Sequence, residues 1–400
     1  MQQYNNSTIK QFISDNFQEI VDIRRHIHSH PELSFHEYKT SQFIQRKLTE
    51  FDIPFENNIA ENGVVGFIKG KNPSKKVVAL RADFDALPIE EANDVPYKSR
   101  NHGVMHACGH DAHTASLLGA SKALKSIEGE LEGTVKLIFQ PAEERLPGGA
   151  SLMIKEGVLE NPAPAGILGQ HVEPTLEVGK VGFCPGMSMA SADEIDMTIY
   201  GSGGHGAMPH NTIDPIVITS HIITALQQIV SRNCSPIIPS VLTFGSIHSD
   251  GGTYNIIPEI VKLKGTFRTM NEKWRFEAHE KMTKIAKMMA ESMGGRCDFD
   301  ITVGYPFLIN DVNLTNRCKN AAIEYLGKEN VVMIPQRMTS EDFSNYTQKT
   351  KGCFYRLGVR NEARGITSGV HTPTFNIDED SLKIGAGLMA WLTVKELQVK

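Results

Sequence analysis

Long hydrophobic runs are missing from this 400-residue chain. No apolar stretch reaches the roughly 18 residues that a membrane-spanning helix needs, so no membrane partner is expected. The amino end, Met1 to Asn16, is polar and lacks the apolar core of a secretory signal. Cysteine is scarce: six residues, at 108, 184, 234, 297, 318 and 353, with no CxxC pair and no framework spacing. In a long chain that pattern predicts reduced thiols and a cytoplasmic location, not disulfide staples. A basic excess is missing too, with 41 Lys and Arg against 46 Asp and Glu and a net charge of −5. No basic patch is interleaved with aromatics, so no nucleic-acid partner is expected. Internal repeats and low-complexity tracts are also absent. What remains, 40% hydrophobic and 22% charged, is the composition of a globular protein with two or three domains.

The periodicity changes along the chain. Ser7 to His28 reads as a helix, Pro31 stops it, and Glu37 to Glu50 reads as a second. Strands Val64–Lys69, Val77–Arg81, Gly133–Gln140 and Ala165–His171 then alternate with helices Ala112–Ser126 and Gly148–Glu156. Such alternation predicts an α/β domain with a helix-covered, largely parallel sheet, whose ligands gather at the carboxyl ends of strands. From Met187 the order becomes β-α-β-β-α-β, with strands 194–200, 240–247, 259–268 and 296–305 and helices 214–232 and 271–293. That is the ferredoxin-like α+β order. Afterwards α/β character resumes (helix 314–325, strands 331–334 and 353–357) and a helix from 380 to 397 closes the chain. The expected organisation is a discontinuous catalytic domain, 1–186 and 305–400, interrupted by an inserted lid and dimerisation domain, 187–304.

The densest chemistry lies in His106-Ala107-Cys108-Gly109-His110-Asp111-Ala112-His113, a thiol, three imidazoles and a carboxylate within eight residues. Thiolate and neutral imidazole are good ligands for a borderline-soft divalent metal, and carboxylates suit harder ones. One such Cys or His alone is usually a core residue, but the clustering points to a metal site. Glu143 and Glu144 follow an apolar strand and a Pro-Ala turn. His171 follows another strand, and His371 precedes the acidic run 378–380. Cys108, His110, Glu144, His171 and His371 therefore converge as candidate ligands. Glu143, beside a ligand carboxylate, is free to act as general base.

The strings RADFDALPIEE, MHACGHDAHTA, FQPAEE, GQHVEP, GSGGHGAMPH, NIIPE, GTFRT, SEDF and HTPTFNIDE resemble the aminoacylase/carboxypeptidase-type amidohydrolases. That family includes hippurate hydrolase, N-acetyl-diaminopimelate deacetylase and the plant auxin-conjugate hydrolases. The likeness runs from about His26 to the carboxyl end. It implies a centre of two divalent metal ions held by Cys108, His110, Glu144, His171 and His371, with Glu143 as base. The thiolate favours zinc, while the carboxylates leave manganese or cobalt open. Asp83 and Asp85 fill the family's Asp-x-Asp motif, and one of them is implied to orient a ligand imidazole. His205, on the lid, is implied to stabilise the oxyanion at a neighbouring active site. Asn255 and Arg268 are lid positions for substrate, Arg268 suited to gripping a carboxylate. A homodimer through the lid is implied as well.

These features predict a metal-dependent amidohydrolase that cleaves the amide of N-acyl amino acids. A dipeptidase or carboxypeptidase of the same family is the rival within enzymes. A metal-holding oligomeric protein with vestigial activity is the rival outside them, and the intact Glu143 speaks against it. A cysteine-nucleophile hydrolase built on Cys108 is disfavoured because Cys108 shares its motif with His110 at ligand spacing. His221, His248 and His279 read as surface or helix residues.

Overall fold

A computed structural model describes residues 6–399. The chain divides into two compact units: Met1–Gly186 with Ile309–Pro335 and Asp342–Lys400, and Met187–Leu308 with Gln336–Glu341. The second unit thus ends at Leu308 instead of 304 and takes back a short stretch of the 305–400 segment. The backbone explains the recapture. Arg337 N–H donates to Ser188 O at 3.0 Å, and Ala190 N–H donates to Thr339 O at 3.1 Å.

The first unit is built on an eight-stranded sheet. Its spatial order is Phe55–Ile59, Gly63–Lys69, Thr134–Gln140, Val77–Asp83, Gly166–Glu177, Gly352–Arg360, Val181–Phe183, Val331–Met333. The four central strands, from Thr134–Gln140 to Gly352–Arg360, run parallel, and antiparallel pairing is confined to the flanks. Val77–Asp83 is buried at every position, as expected of a strand covered on both faces. Helices Phe17–Ser29, His110–Ser126 and Ser381–Gln398 pack together and contribute Ile20, Leu117, Leu118 and Leu388 to the core.

Several boundaries differ from the sequence expectation for local reasons. The first helix is two, Asn6–Asp15 and Phe17–Ser29. Asn16 breaks it, its side-chain amide competing for Phe12 O at 2.8 Å. The strand expected to stop at His171 continues to Glu177 because its parallel pairing with Gly352–Arg360 persists. The edge strand Phe55–Ile59, with polar Glu56, Asn57 and Asn58, carried no periodic signal.

The second unit has a four-stranded antiparallel sheet in the order Ser240–Ser249, Ile260–Thr269, Asp193–Tyr200, Arg296–Val303. Helices Pro215–Leu226 and Glu272–Ser292 complete the β-α-β-β-α-β sequence. Asp214 caps the first helix by accepting from Ile216 N–H at 2.8 Å, with Pro215 at its first position. That helix stops at Leu226, and a π-turn over Ile229–Asn233 takes the place of the expected last turn and a half. Asn271 caps the second helix through Trp274 N–H. Ile195, Met197 and Ile199 alternate inward to meet Ile218, Ile222, Trp274 and Met282. Among the described residues no helix is long and apolar enough to cross a membrane.

His279, read from sequence as an ordinary helix residue, belongs to a buried ionic knot. Its Nε2 lies 2.7 Å from Asp193 Oδ2, and Arg275 Nε donates to the same carboxylate at 2.9 Å. Asp193→Ala would leave the buried Arg275 guanidinium with only the half-buried Glu272, at 2.9 Å from Nη1, as counter-charge, and His279 Nε2 without its acceptor. The expected loss is about 3–5 kcal/mol, the usual scale for breaking a buried pair from one side. Thermal and denaturant unfolding of the variant checks this.

Candidate metal centre

Helix His110–Ser126 begins at the first ligand candidate. The chain enters it through Gly109 at φ +82°, where a β-carbon would lie 2.6 Å from Val172 Cγ2. Only glycine permits both that left-handed entry and the close approach to the strand carrying His171. Asp111, in the first turn, anchors the helix start by accepting from Arg24 Nε at 2.7 Å and pairing with His28 Nδ1 at 2.9 Å. His371 is tied to the same motif, since its N–H donates to Ala107 O at 2.8 Å.

Three groups of side chains share members and merge into one cluster: Cys108, His110 and His171; Cys108, Glu144 and His371; and His110, Glu143 and Glu144. Within each group the potential ligand atoms lie within 4.8 Å of one another. Cys108 Sγ is 3.4 Å from His171 Nε2, and Glu144 Oε1 is 3.2 Å from His371 Nε2. The structure brings all five sequence-derived ligand candidates and Glu143 together.

The environment fits a cation. His110 Nε2 is buried without a hydrogen-bond partner, an arrangement that costs free energy unless something binds there. Its nearest carboxylate oxygens, on Asp83 and Glu144, are both 3.9 Å away. Burial opposes a charged His110, but Asp83, Cys108 and Asp85 overcome it and raise its pKa well above the ordinary value. Hydrogen bonds to Cys108 and Glu144 push His371 up to about 10. Around these two imidazoles the acids outweigh burial, so this side of the pocket is short of positive charge, whereas burial and then Arg356 hold His171 well below the ordinary value. Burial, helped by Glu144, pushes the Cys108 thiol up. That is the reverse of what a cysteine nucleophile needs, whereas a bound metal would hold the thiolate.

Asp83 and Asp85 divide their work. His110 Nδ1 donates to Asp85 O at 2.9 Å and to Asp85 Oδ1 at 3.1 Å, and Asp85 Oδ2 accepts the Glu144 N–H at 3.0 Å. Burial works to raise its pKa, but the bond to and charge of His110, the Ser34 hydroxyl and the Glu144 amide together outweigh this and leave it lowered. Asp83 turns instead to His113 Nδ1, at 2.5 Å, and to Arg81 Nη1, at 2.6 Å. His113 Nε2 then accepts the Val172 N–H at 2.9 Å, steadying the backbone next to His171. His171 donates from Nδ1 to Val172 O at 2.7 Å, which aims Nε2 at the cluster.

Glu143 is buried, and its Oε1 accepts the Asp342 N–H at 3.3 Å. Asp342 is itself fixed by Arg81 Nη2 at 2.7 Å and Gln140 Nε2 at 2.7 Å. Sequence reasoning missed Arg81, His113, Gln140 and Asp342 as supports. Arg81 lies within an apolar strand and Gln140 closes another, both buried, where a charge or amide needs a buried partner, and that mismatch was the available signal.

The remaining predicted residues lie on the second unit. His205 is exposed and pairs with Ile256 in a two-stranded ladder, and Gly206 N–H donates to Asn255 O at 2.7 Å. His205 and Asn255 are therefore neighbours. Arg268 Nη1 points to Met338 O and Ser340 Oγ, at 3.4 and 3.3 Å.

The family model for peptidase family M20/M25/M40 matches residues 79–394. The chain is 38% identical over 384 residues to an N-acetylcysteine deacetylase of Bacillus subtilis, covering 95% of this chain and 97% of that one. It is 39% identical over 379 residues to thermostable carboxypeptidase 2 of Saccharolobus solfataricus, covering 94% and 95%. A solved dinuclear metal-binding peptidase of the M20 family from Bacillus subtilis matches with a TM-score of 0.83 at 34% identity, covering 97% of this chain and 100% of that one.

Because Asp85 both orients His110 and holds the Glu144 peptide, Asp85→Ala should weaken metal binding about 10–100-fold. Competition with a metallochromic chelator measures this directly.

Proposed function

This chain belongs to peptidase family M20/M25/M40 and is a metal-dependent hydrolase of amide or peptide bonds; within that family we propose that it removes the acyl group from N-acyl amino acids. The 38% identity to an N-acetylcysteine deacetylase supports the acyl substrate, and the observation that carries the hydrolytic chemistry is the division of labour in the Glu143-Glu144 turn. Glu144 reaches His371 and lies in the same ligand cluster as Cys108. Glu143 has a separate hold, the Asp342 N–H.

Cys108, His110, Glu144, His171 and His371 would hold two divalent ions, zinc by preference for the thiolate and manganese or cobalt as alternatives. Such ions lower the pKa of a water and polarise a carbonyl when bound. Glu143 takes the proton of the attacking water and returns it to the leaving nitrogen. His110 keeps its orientation through Asp85, which accepts the Nδ1 proton and so leaves Nε2 as the donor atom. His205 donates to the developing oxyanion, and Asn255 and Arg268 bind the amino-acid end of the substrate. Carboxypeptidase action is the second reading, favoured by the 39% identity to a carboxypeptidase. Turnover on matched N-acyl and dipeptide substrates separates the two, and preference for the peptides would overturn the deacylase reading.

Chelation should abolish hydrolysis, and readdition of zinc, manganese or cobalt should restore it. Glu143→Ala should keep its metal and lose turnover by about 10²–10⁴-fold. Glu144→Ala should lose metal, as read by elemental analysis. Equal depletion in both variants would refute the division of labour.

We also propose that the second unit is a lid through which two copies associate, so that His205 acts at its partner's site. Edge strand Ser240–Ser249 supports this, with Val241 and Ile247 exposed along it. His205→Ala and Glu143→Ala, each inactive, should regain partial activity when refolded together, because a mixed dimer holds one intact site. Verified mixed dimers without recovery would exclude action across the interface.

A further inference from the structure

The segment Pro31 to Glu37 opens the helix Tyr38–Glu50, and none of its residues enters the chemistry above. It nevertheless reaches the carboxylate turn at two points. Ser34 Oγ donates to Asp85 Oδ2 at 2.6 Å, the same oxygen that accepts the Glu144 N–H. Glu37, fully buried, reaches the turn without an intermediary. Its Oε1 accepts the Ala142 N–H at 2.8 Å, and its Oε2 accepts from Asn62 Nδ2 at 3.0 Å.

Ala142 needs such a hold. Its φ is +50°, the left-handed region that a β-carbon disfavours. A residue stays there only where its surroundings fix it, and such residues concentrate at functional sites. The carbonyl side is fixed by Gly149 N–H, which donates to Ala142 O at 2.9 Å. That approach is open only to glycine, because a β-carbon on Gly149 would lie 1.8 Å from Pro141 O. The amide side is fixed by Glu37. With both peptide groups around Ala142 held, the next two residues, Glu143 and Glu144, leave the turn in one set direction.

The hold is kept at an electrostatic disadvantage. Burial, and then the charge of Asp85, push the Glu37 carboxyl up to about 7. An apolar residue would carry no such penalty but would leave the Ala142 N–H unpaired.

We propose that Glu37 is a positioning residue that sets the Glu143-Glu144 turn for metal binding and proton transfer. The inference rests on the base-and-ligand reading of those two glutamates. Three substitutions grade the interaction. Glu37→Gln keeps an acceptor for the Ala142 N–H, and the Asn62 amide can turn to receive the new NH₂. Glu37→Asp draws the acceptor back by one methylene, and Glu37→Ala removes it.

The measurements are the zinc dissociation constant of the metal-stripped protein, by competition with a metallochromic chelator, and kcat and KM on an N-acyl amino acid at saturating metal. Thermal midpoints are recorded beside them. Ala and Asp should bind zinc about 10–100-fold more weakly and lose kcat, with KM little changed. Gln should stay within about threefold of the unsubstituted enzyme in each value, as expected when the acceptor is retained. Ala and Asp variants that melt lower, yet match the unsubstituted enzyme in zinc affinity and kcat, would overturn the proposal and reduce Glu37 to a core residue. Should the Ala variant fail to fold, the Asp and Gln variants decide by the same criteria. An unsubstituted enzyme without zinc binding or hydrolysis would refute the reading of the turn itself, and this inference with it.

Discussion

Desolvation is the constraint on which the catalytic unit depends. Asp83, Asp85, Asp111, His110, His113 and His171 are all removed from water, and a buried charge is tolerable only when paired. The pairings are therefore specific. Asp111 takes Arg24 and His28, Asp83 takes Arg81 and His113, and Asp85 takes His110, Ser34 and the Glu144 amide. Asp83 and Asp85 hold imidazoles of the metal motif, and Asp111, itself part of the motif, is held through Oδ2 alone, its Oδ1 being buried without a partner. Once these are assigned, His110 Nε2 is still without a partner, at the place where the other ligand candidates converge.

The same pairings explain why the site occupies this part of the sheet. Parallel strands Val77–Asp83 and Thr134–Gln140 end side by side, with Asp83 opposite Gln140. The turns that follow carry Asp85 from one and Glu143 and Glu144 from the other. The long strand Gly166–Glu177 adds His171 beside the entry to helix His110–Ser126, with Gly109 against Val172. Arg81 bridges from Asp83 to Asp342, which links the Asp-x-Asp motif to the backbone donor of Glu143. A substitution at Arg81 would thus disturb both halves of the site.

Much of this was legible in the sequence, but unevenly. The alternation of strands and helices, the β-α-β-β-α-β insertion and the six central residues of the cluster all carry strong local signals. Periodicity marks elements, and ligand-type residues are conspicuous when clustered. The supports were not legible. Glu37 looks like an ordinary residue at a helix start, and Arg81 like an interruption in a strand. What they do depends on partners separated by 105 residues (Glu37 and Ala142) or 261 (Arg81 and Asp342). The choice between Asp83 and Asp85 was open for the same reason, since spacing alone cannot tell which imidazole each one meets. The return of Gln336–Glu341 to the second unit rests on backbone bonds to residues 188–190, which leave no mark on composition.

Substrate choice obeys a different logic from metal binding. A water-activating metal pair with a carboxylate base serves acyl-amino acids and peptides equally, because both present an amide carbonyl and a leaving nitrogen. Relatives with the two kinds of name stand at nearly equal identity to this chain, 38% and 39%, so overall similarity does not discriminate between them. Discrimination must come from groups that meet the substrate on either side of the scissile bond. On the proposed reading His205, Asn255 and Arg268, all carried by the second unit, meet the scissile carbonyl and the amino-acid end. Among the described residues the Arg268 guanidinium hydrogen-bonds only through Nη1, at the long distances of 3.4 and 3.3 Å. A guanidinium has five donors in a planar fork, so a substrate carboxylate can still be gripped by the rest. Recognition of the amino-acid carboxylate is then common to both substrate classes, and the selective contact is the one made to the acyl side.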